Sequence, residues 1–121
     1  MTITNTWTPV CALTDLTVGR GVAALLDDAT QVAVFYLGDE DGEPVVLAVS
    51  NIDPFGRAAV MSRGLVGEHG GTATVASPLL KQRFSLESGR CLDDESVALP
   101  VYPVRVIDGR VEVGSAQATP Q

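Results

Sequence analysis

Two loops govern the reading of this chain: Ser50-Asn51-Ile52-Asp53-Pro54-Phe55, and Ala76-Ser77-Pro78-Leu79-Leu80-Lys81-Gln82-Arg83-Phe84. Each carries a proline in its turn, and 21 residues separate Phe55 from Ser77. A short strand pair lies between them, with a weak strand around Leu65-Val66, a reversal at His69-Gly70-Gly71, and alternation from Thr72 to Ala76. Gly56 to Ser62 supplies small residues and Met61 before Arg63-Gly64 turns into that pair.

Working outward, short β-branched runs alternate with turn signals, which predicts an all-β domain. Trp7 to Leu13 reads as a first strand, placed at an edge by Pro9. Thr14-Asp15-Leu16 reads as a turn or a single helical turn. Arg20 to Leu26 and Gln31 to Leu37 form a hairpin through Asp27-Asp28-Ala29-Thr30. Val32-Ala33-Val34-Phe35-Tyr36-Leu37 is apolar on both faces, as a central strand covered on each side would be. Gly38 to Pro44 reads as an acidic turn and Val45 to Val49 as the next strand. Beyond the second loop, Phe84 and Leu86 share a face, Glu87-Ser88-Gly89-Arg90 turns tightly, and Cys91-Leu92 begins a return strand. The last hairpin is marked by Asp108-Gly109, with Val104 and Val106 on one face and Val111 and Val113 returning. Residues 1–114 are expected to form a single domain, and 115–121 a disordered polar tail.

The 121 residues suffice for one domain that buries its own core. A formal charge of −7, with 8 basic and 15 acidic side chains and no basic stripe, argues against nucleic-acid binding. No apolar run approaches the ~20 residues a membrane helix needs. The first residues have neither a basic nor an apolar leader segment, so a cytoplasmic protein is expected. Cys11 and Cys91, 80 positions apart, then read most simply as two free buried thiols, a disulfide between them being the lesser alternative.

In spacing and flanks the two loops resemble the cluster-binding part of a Rieske domain. There, C-x-H and C-x-x-H hold a [2Fe–2S] centre with two thiolates and two imidazoles. The corresponding positions here are Asp53, Phe55, Ser77 and Leu80, none of which is a thiol or imidazole. The likeness runs from about Trp7 to Val113 and includes Arg83-Phe84-x-Leu86-x-x-Gly89-x-Cys91-Leu92 and Tyr102-Pro103-Val104-Arg105-Val106-x-Asp108-Gly109. Ser50 to Phe55, Ser62-Arg63-Gly64-Leu65, Glu68-His69, Ala76 to Leu79 and Lys81 to Phe84 resemble the small subunit of assimilatory NAD(P)H-dependent nitrite reductase. That resemblance implies an all-β, Rieske-like fold of stacked antiparallel sheets with two cluster-type loops and no cluster. It also implies a cytoplasmic partner of a large subunit that carries FAD, [4Fe–4S] and sirohaem and reduces nitrite to ammonium.

The residues themselves offer no catalytic, cofactor or metal site. Asp53 and Ser77 are hard oxygen donors without a neighbouring carboxylate, unsuited to iron–sulfur chemistry and poor for Ca²⁺ or Mg²⁺. His69 is the only imidazole and reads as a turn residue; Ser77 has no evident base. Asp39-Glu40-Asp41 and Asp93-Asp94-Glu95 read as solvated loops.

With no iron to cross-link the loops, something else must. One expectation is an apolar plug of Phe55, Leu79 and Leu80, each worth ~1.5–3 kcal/mol if buried, helped by Asp53 approaching Ser77 or Lys81. The other is that Phe55, Leu79 and Leu80 stay exposed as a docking patch rimmed by Arg57, Lys81 and Arg83. Two functions follow: a non-catalytic nitrite reductase subunit docked on its large subunit, or a stand-alone ligand-binding or interaction module unrelated to nitrite.

Overall fold

The apolar run at Val32 does become a central strand, and it serves two cores at once. A computed structural model of the chain describes residues 6–115. Its strands are β1 (Trp7–Ala12), β2 (Gly21–Leu25), β3 (Gln31–Glu40), β4 (Glu43–Ser50), β5 (Leu65–His69), β6 (Thr72–Ala76), β7 (Arg83–Ser85), β8 (Val101–Tyr102), β9 (Val104–Ile107) and β10 (Arg110–Gly114). Among the described residues the only helical pieces are two 3-10 turns, Leu13–Asp15 and Met61–Arg63. The strands form three antiparallel sheets, ordered β1-β10-β9, β2-β3-β4-β8 and β5-β6-β7.

Side chains alternate across a strand, so β3 splits its apolar residues between the two faces of its sheet. Ala33 and Phe35 join Val49, Met61, Val75, Phe84, Leu86, Cys91 and Leu99 in one core. Val32 and Val34 join Leu16, Leu26, Val46, Ala48, Val111 and Val113 in the other. The four-stranded sheet is therefore the middle layer. The β5–β7 sheet with its loops covers one face, and the β1-β10-β9 sheet covers the other.

Several sequence expectations hold in detail. Pro9 lies in edge strand β1, where its missing N–H costs nothing, and the register shifts between Pro9 and Cys11. Asp108 and Gly109 both have positive φ, 51° and 75°, and Val111 and Val113 pair with Val106 and Val104.

Others need correction. β3 does not end at Leu37. A register shift between Tyr36 and Asp39 carries it through to Glu40, and Asp41 and Gly42 make the turn with φ of 53° and 80°. The Asp-Gly pair outweighs the acidic character of the segment. The segment 56–62 is irregular and ends in the turn Met61–Arg63, and β5 extends over five residues to His69. Cys91-Leu92 forms no strand, only a bridge from Cys91 to Phe84, because Asp93 then turns back to accept the Arg83 N–H at 2.8 Å. β8, which pairs with Ala48 and Val49, is missing from the sequence reading because Pro100 and Pro103 flank it.

Cys91 is buried, but Cys11 is only half-buried; both are free. Burial and, secondarily, the nearby Asp15 charge push the Cys11 thiol above its ordinary pKa. Ser115 donates its N–H to Thr6 O at 3.0 Å, and the rest of the expected tail lies outside the described residues.

Candidate functional site

The two proline loops prove to be the same turn built twice. In the first, the Asp53 N–H donates to Ala58 O at 2.9 Å and the Arg57 N–H donates to Asp53 O at 2.7 Å. In the second, the Ser77 N–H donates to Gln82 O at 2.9 Å and the Lys81 N–H donates to Ser77 O at 3.2 Å. Each loop also caps itself. Asp53 Oδ1 accepts the N–H groups of Phe55 (2.8 Å) and Gly56 (3.3 Å), and Ser77 Oγ accepts the Leu79 N–H (3.2 Å). These are the Asx and Ser turns that Asp-Pro and Ser-Pro favour. Arg57 and Lys81 occupy equivalent places, and both are left-handed, with φ of 57° and 67°.

What joins the loops is polar. Ser77 Oγ donates to Asp53 Oδ2 at 2.5 Å across 24 residues of sequence, and both residues are 0% exposed. Asp53 thus accepts three hydrogen bonds, two from its own loop and one from the other. Hydrogen bonds to a charged group contribute about 1.5–3 kcal/mol each, against about 1 kcal/mol or less for an exposed ion pair. The plug of three apolar side chains is therefore corrected. Leu79 and Leu80 are 45% and 60% exposed, and Lys81 forms no ion pair among the described residues. Only Phe55 packs inward, its half-buried ring tilted against Phe84 with centroids 6.1 Å apart. Gly56 lets the loops close, because a Cβ there would lie 2.6 Å from Leu79 Cδ1.

Phe55→Ala removes the aromatic contact that seats the first loop on the core. A loss of about 2 kcal/mol is expected, below the full cost of a buried Phe because the ring is half-exposed. Urea melts would detect it, and an unchanged midpoint would show that the clasp alone seats the loop.

The four ligand-equivalent positions do not fit a [2Fe–2S] cluster. Asp53 and Ser77 spend their oxygens on each other and on backbone N–H groups, and Phe55 and Leu80 have no donor atoms. Among the described residues no three His, Cys, Asp or Glu side chains gather as a metal site. His69 is exposed at the end of β5, paired with Thr72 and far along the hairpin from Leu65, which faces Ala76 beside the second loop.

Around the clasp the loop tip presents Leu79, Leu80, Arg57 and Lys81 to solvent. Arg83 is the exception among the expected rim residues. Its guanidinium meets Asp93 at 3.3 Å, and its backbone N–H and guanidinium together hold that carboxyl below its usual range. A sequence reading places Arg57 and Lys81 nearby, but not their matched left-handed backbones, which L-residues normally avoid.

The family described as the Rieske-like [2Fe-2S] domain matches residues 6–114. Over 109 residues the chain is 47% identical to the nitrite reductase (NADH) small subunit of Escherichia coli K12, covering 88% of this chain and 95% of that protein. The chain belongs to the Rieske-like nitrite reductase small-subunit family. A crystal structure assigned to the NADH-dependent nitrite reductase small subunit of Mycobacterium tuberculosis is 52% identical and superposes with a TM-score of 0.89. That match covers 96% of this chain and all of the other. The nitrite reductase [NAD(P)H] large subunit of Klebsiella oxytoca also contains a stretch 40% identical over 111 residues, which is 92% of this chain but 11% of that protein. In this family the module thus exists both as a free small chain and as part of a much longer large subunit.

Proposed function

We propose that this chain is the non-catalytic small subunit of a cytoplasmic NAD(P)H-dependent nitrite reductase, docking by its loop tip on the large subunit. The partner supplies FAD, [4Fe–4S] and sirohaem; this chain supplies a rigid surface and no redox centre. The observation that carries the reading is the tip itself. A buried clasp holds two matched turns, and these offer two exposed leucines and two cations that form no ion pair among the described residues, on a chain of charge −7. Exposed apolar groups beside unpaired guanidinium and ammonium groups suit an interface with an acidic rim. The fused arrangement in Klebsiella oxytoca supports the same pairing, since a covalent link keeps two modules at high effective concentration. A free subunit must obtain that proximity from its docking face.

The test compares nitrite reduction by the large subunit with and without this chain, alongside a pull-down. Arg57→Gly with Lys81→Gly separates docking from folding. Both residues have left-handed backbones, so glycine relieves about as much strain as it adds chain entropy, and stability should stay within ~1 kcal/mol. Binding should weaken roughly 10-fold or more as two interfacial cations are lost. Wild-type affinity in that variant would remove the tip as the docking face. A wild-type chain that never associates with the large subunit would favour the stand-alone module.

A further inference from the structure

A groove of about 420 Å³ lies beside the tip, lined by Arg20, Ser62, Arg63 and Leu65 among others. Its walls come from β2 and β5, the outer strands of two different sheets, with the Met61–Arg63 turn between them. Glycine makes the walls close-fitting. A Cβ on Gly21 would meet Ser62 O at 2.5 Å, and one on Gly64 would meet Ala76 O at 2.6 Å. Arg20 and Arg63 are exposed and form no ion pair among the described residues, although the chain carries 15 acidic side chains. Leu65 is 79% exposed and pairs with Ala76, the residue before Ser77, which sets this end of the groove at the base of the second loop.

Resting on the docking role above, we infer that this groove is a second arm of the same face and takes a carboxylate-bearing, apolar segment of the large subunit. Two guanidinium forks match carboxylates in geometry as well as charge. A small phosphate or nucleotide is a poorer occupant, because such anions are usually cradled by free backbone N–H groups. Here the N–H groups of Gly19, Arg20, Ser62, Arg63 and Gly64 already bond to Tyr36 O, Thr17 O, Asn51 Oδ1, Val60 O and Met61 O. Leu65, too exposed to contribute to folding, gains burial only when a partner covers it.

The experiment titrates the full chain into purified large subunit at 50 and 300 mM NaCl. Arg20→Glu with Arg63→Glu should weaken binding roughly 30-fold or more at the lower salt, and by a smaller factor at the higher, as screened charge pairs require. Leu65→Ala should weaken it by about 5-fold at both salts. Arg90→Glu, the same kind of charge change outside the groove, should stay within about threefold. If the double variant bound like wild type while Arg57→Gly with Lys81→Gly weakened binding, the groove assignment would fail and the docking role would stand. A loss from Arg90→Glu equal to that of the groove variants would reduce the effect to net charge and overturn the assignment. So would a self-associated free chain that Arg20→Glu with Arg63→Glu dissociates, which would give the groove to a second copy. A wild-type chain without affinity for the large subunit would remove both.

Discussion

Asp53→Ala is expected to cost about 3–5 kcal/mol, the largest loss for any loop substitution, because it strands several donors at once. The Ser77 hydroxyl, buried at 0% exposure, loses its acceptor, and the Phe55 and Gly56 N–H groups lose theirs. A small void replaces the carboxylate between the loops. Two milder variants order the contributions. Asp53→Asn keeps the volume and one acceptor but turns an amide N–H₂ toward a donor. Ser77→Ala leaves Asp53 its two backbone bonds and should cost about 1–2 kcal/mol. Urea unfolding of the three variants would rank them Asp53→Ala, Asp53→Asn, Ser77→Ala from worst to mildest. An Asp53→Ala protein within 1 kcal/mol of wild type would mean that apolar seating by Phe55, not the clasp, fixes the tip.

Gly89→Ala is expected to be of similar severity, about 3–5 kcal/mol, for a steric reason. Gly89 has a φ of +80°, and a Cβ there would run into the backbone carbonyl of Leu99. That carbonyl cannot step aside, because the same two residues are already joined by the Leu99 N–H donating to Gly89 O at 2.7 Å. The contact seats Leu99 and Val101 against the core that also holds Phe84 and Phe35. Gly42→Ala is the control. It has the same φ of +80° with nothing within 4 Å of the added carbon, so it should cost only the backbone term, about 1 kcal/mol. Equal losses from the two variants would show that backbone handedness, not the close approach to Leu99, makes Gly89 necessary.

Local signals in the chain were enough for much of this fold. Asp108-Gly109 announced a primed turn, Pro9 an edge, and Val32 to Leu37 a doubly covered strand, since each depends on neighbours a few residues away. Gly89 could be read as a turn residue, although its need for close contact with Leu99 could not. The two loops were visible through Asp53-Pro54 and Ser77-Pro78. What joins them was not, because burial of Leu79 and Leu80 competed with the Asp53–Ser77 bond in any estimate made without geometry. The bond forms because Asp53 finds three donors converging on one buried carboxylate, a fact of tertiary placement. That Arg20 and Arg63, 43 positions apart in sequence, line one groove is equally beyond local pattern.

The latch between Asp53 and Ser77 is built from side chains the polypeptide carries itself. Iron–sulfur clusters depend on metal delivery and are lost to oxidants, whereas a hydroxyl on a carboxylate draws only on the chain's own atoms. The join between the two loops is therefore as durable as the fold that buries it.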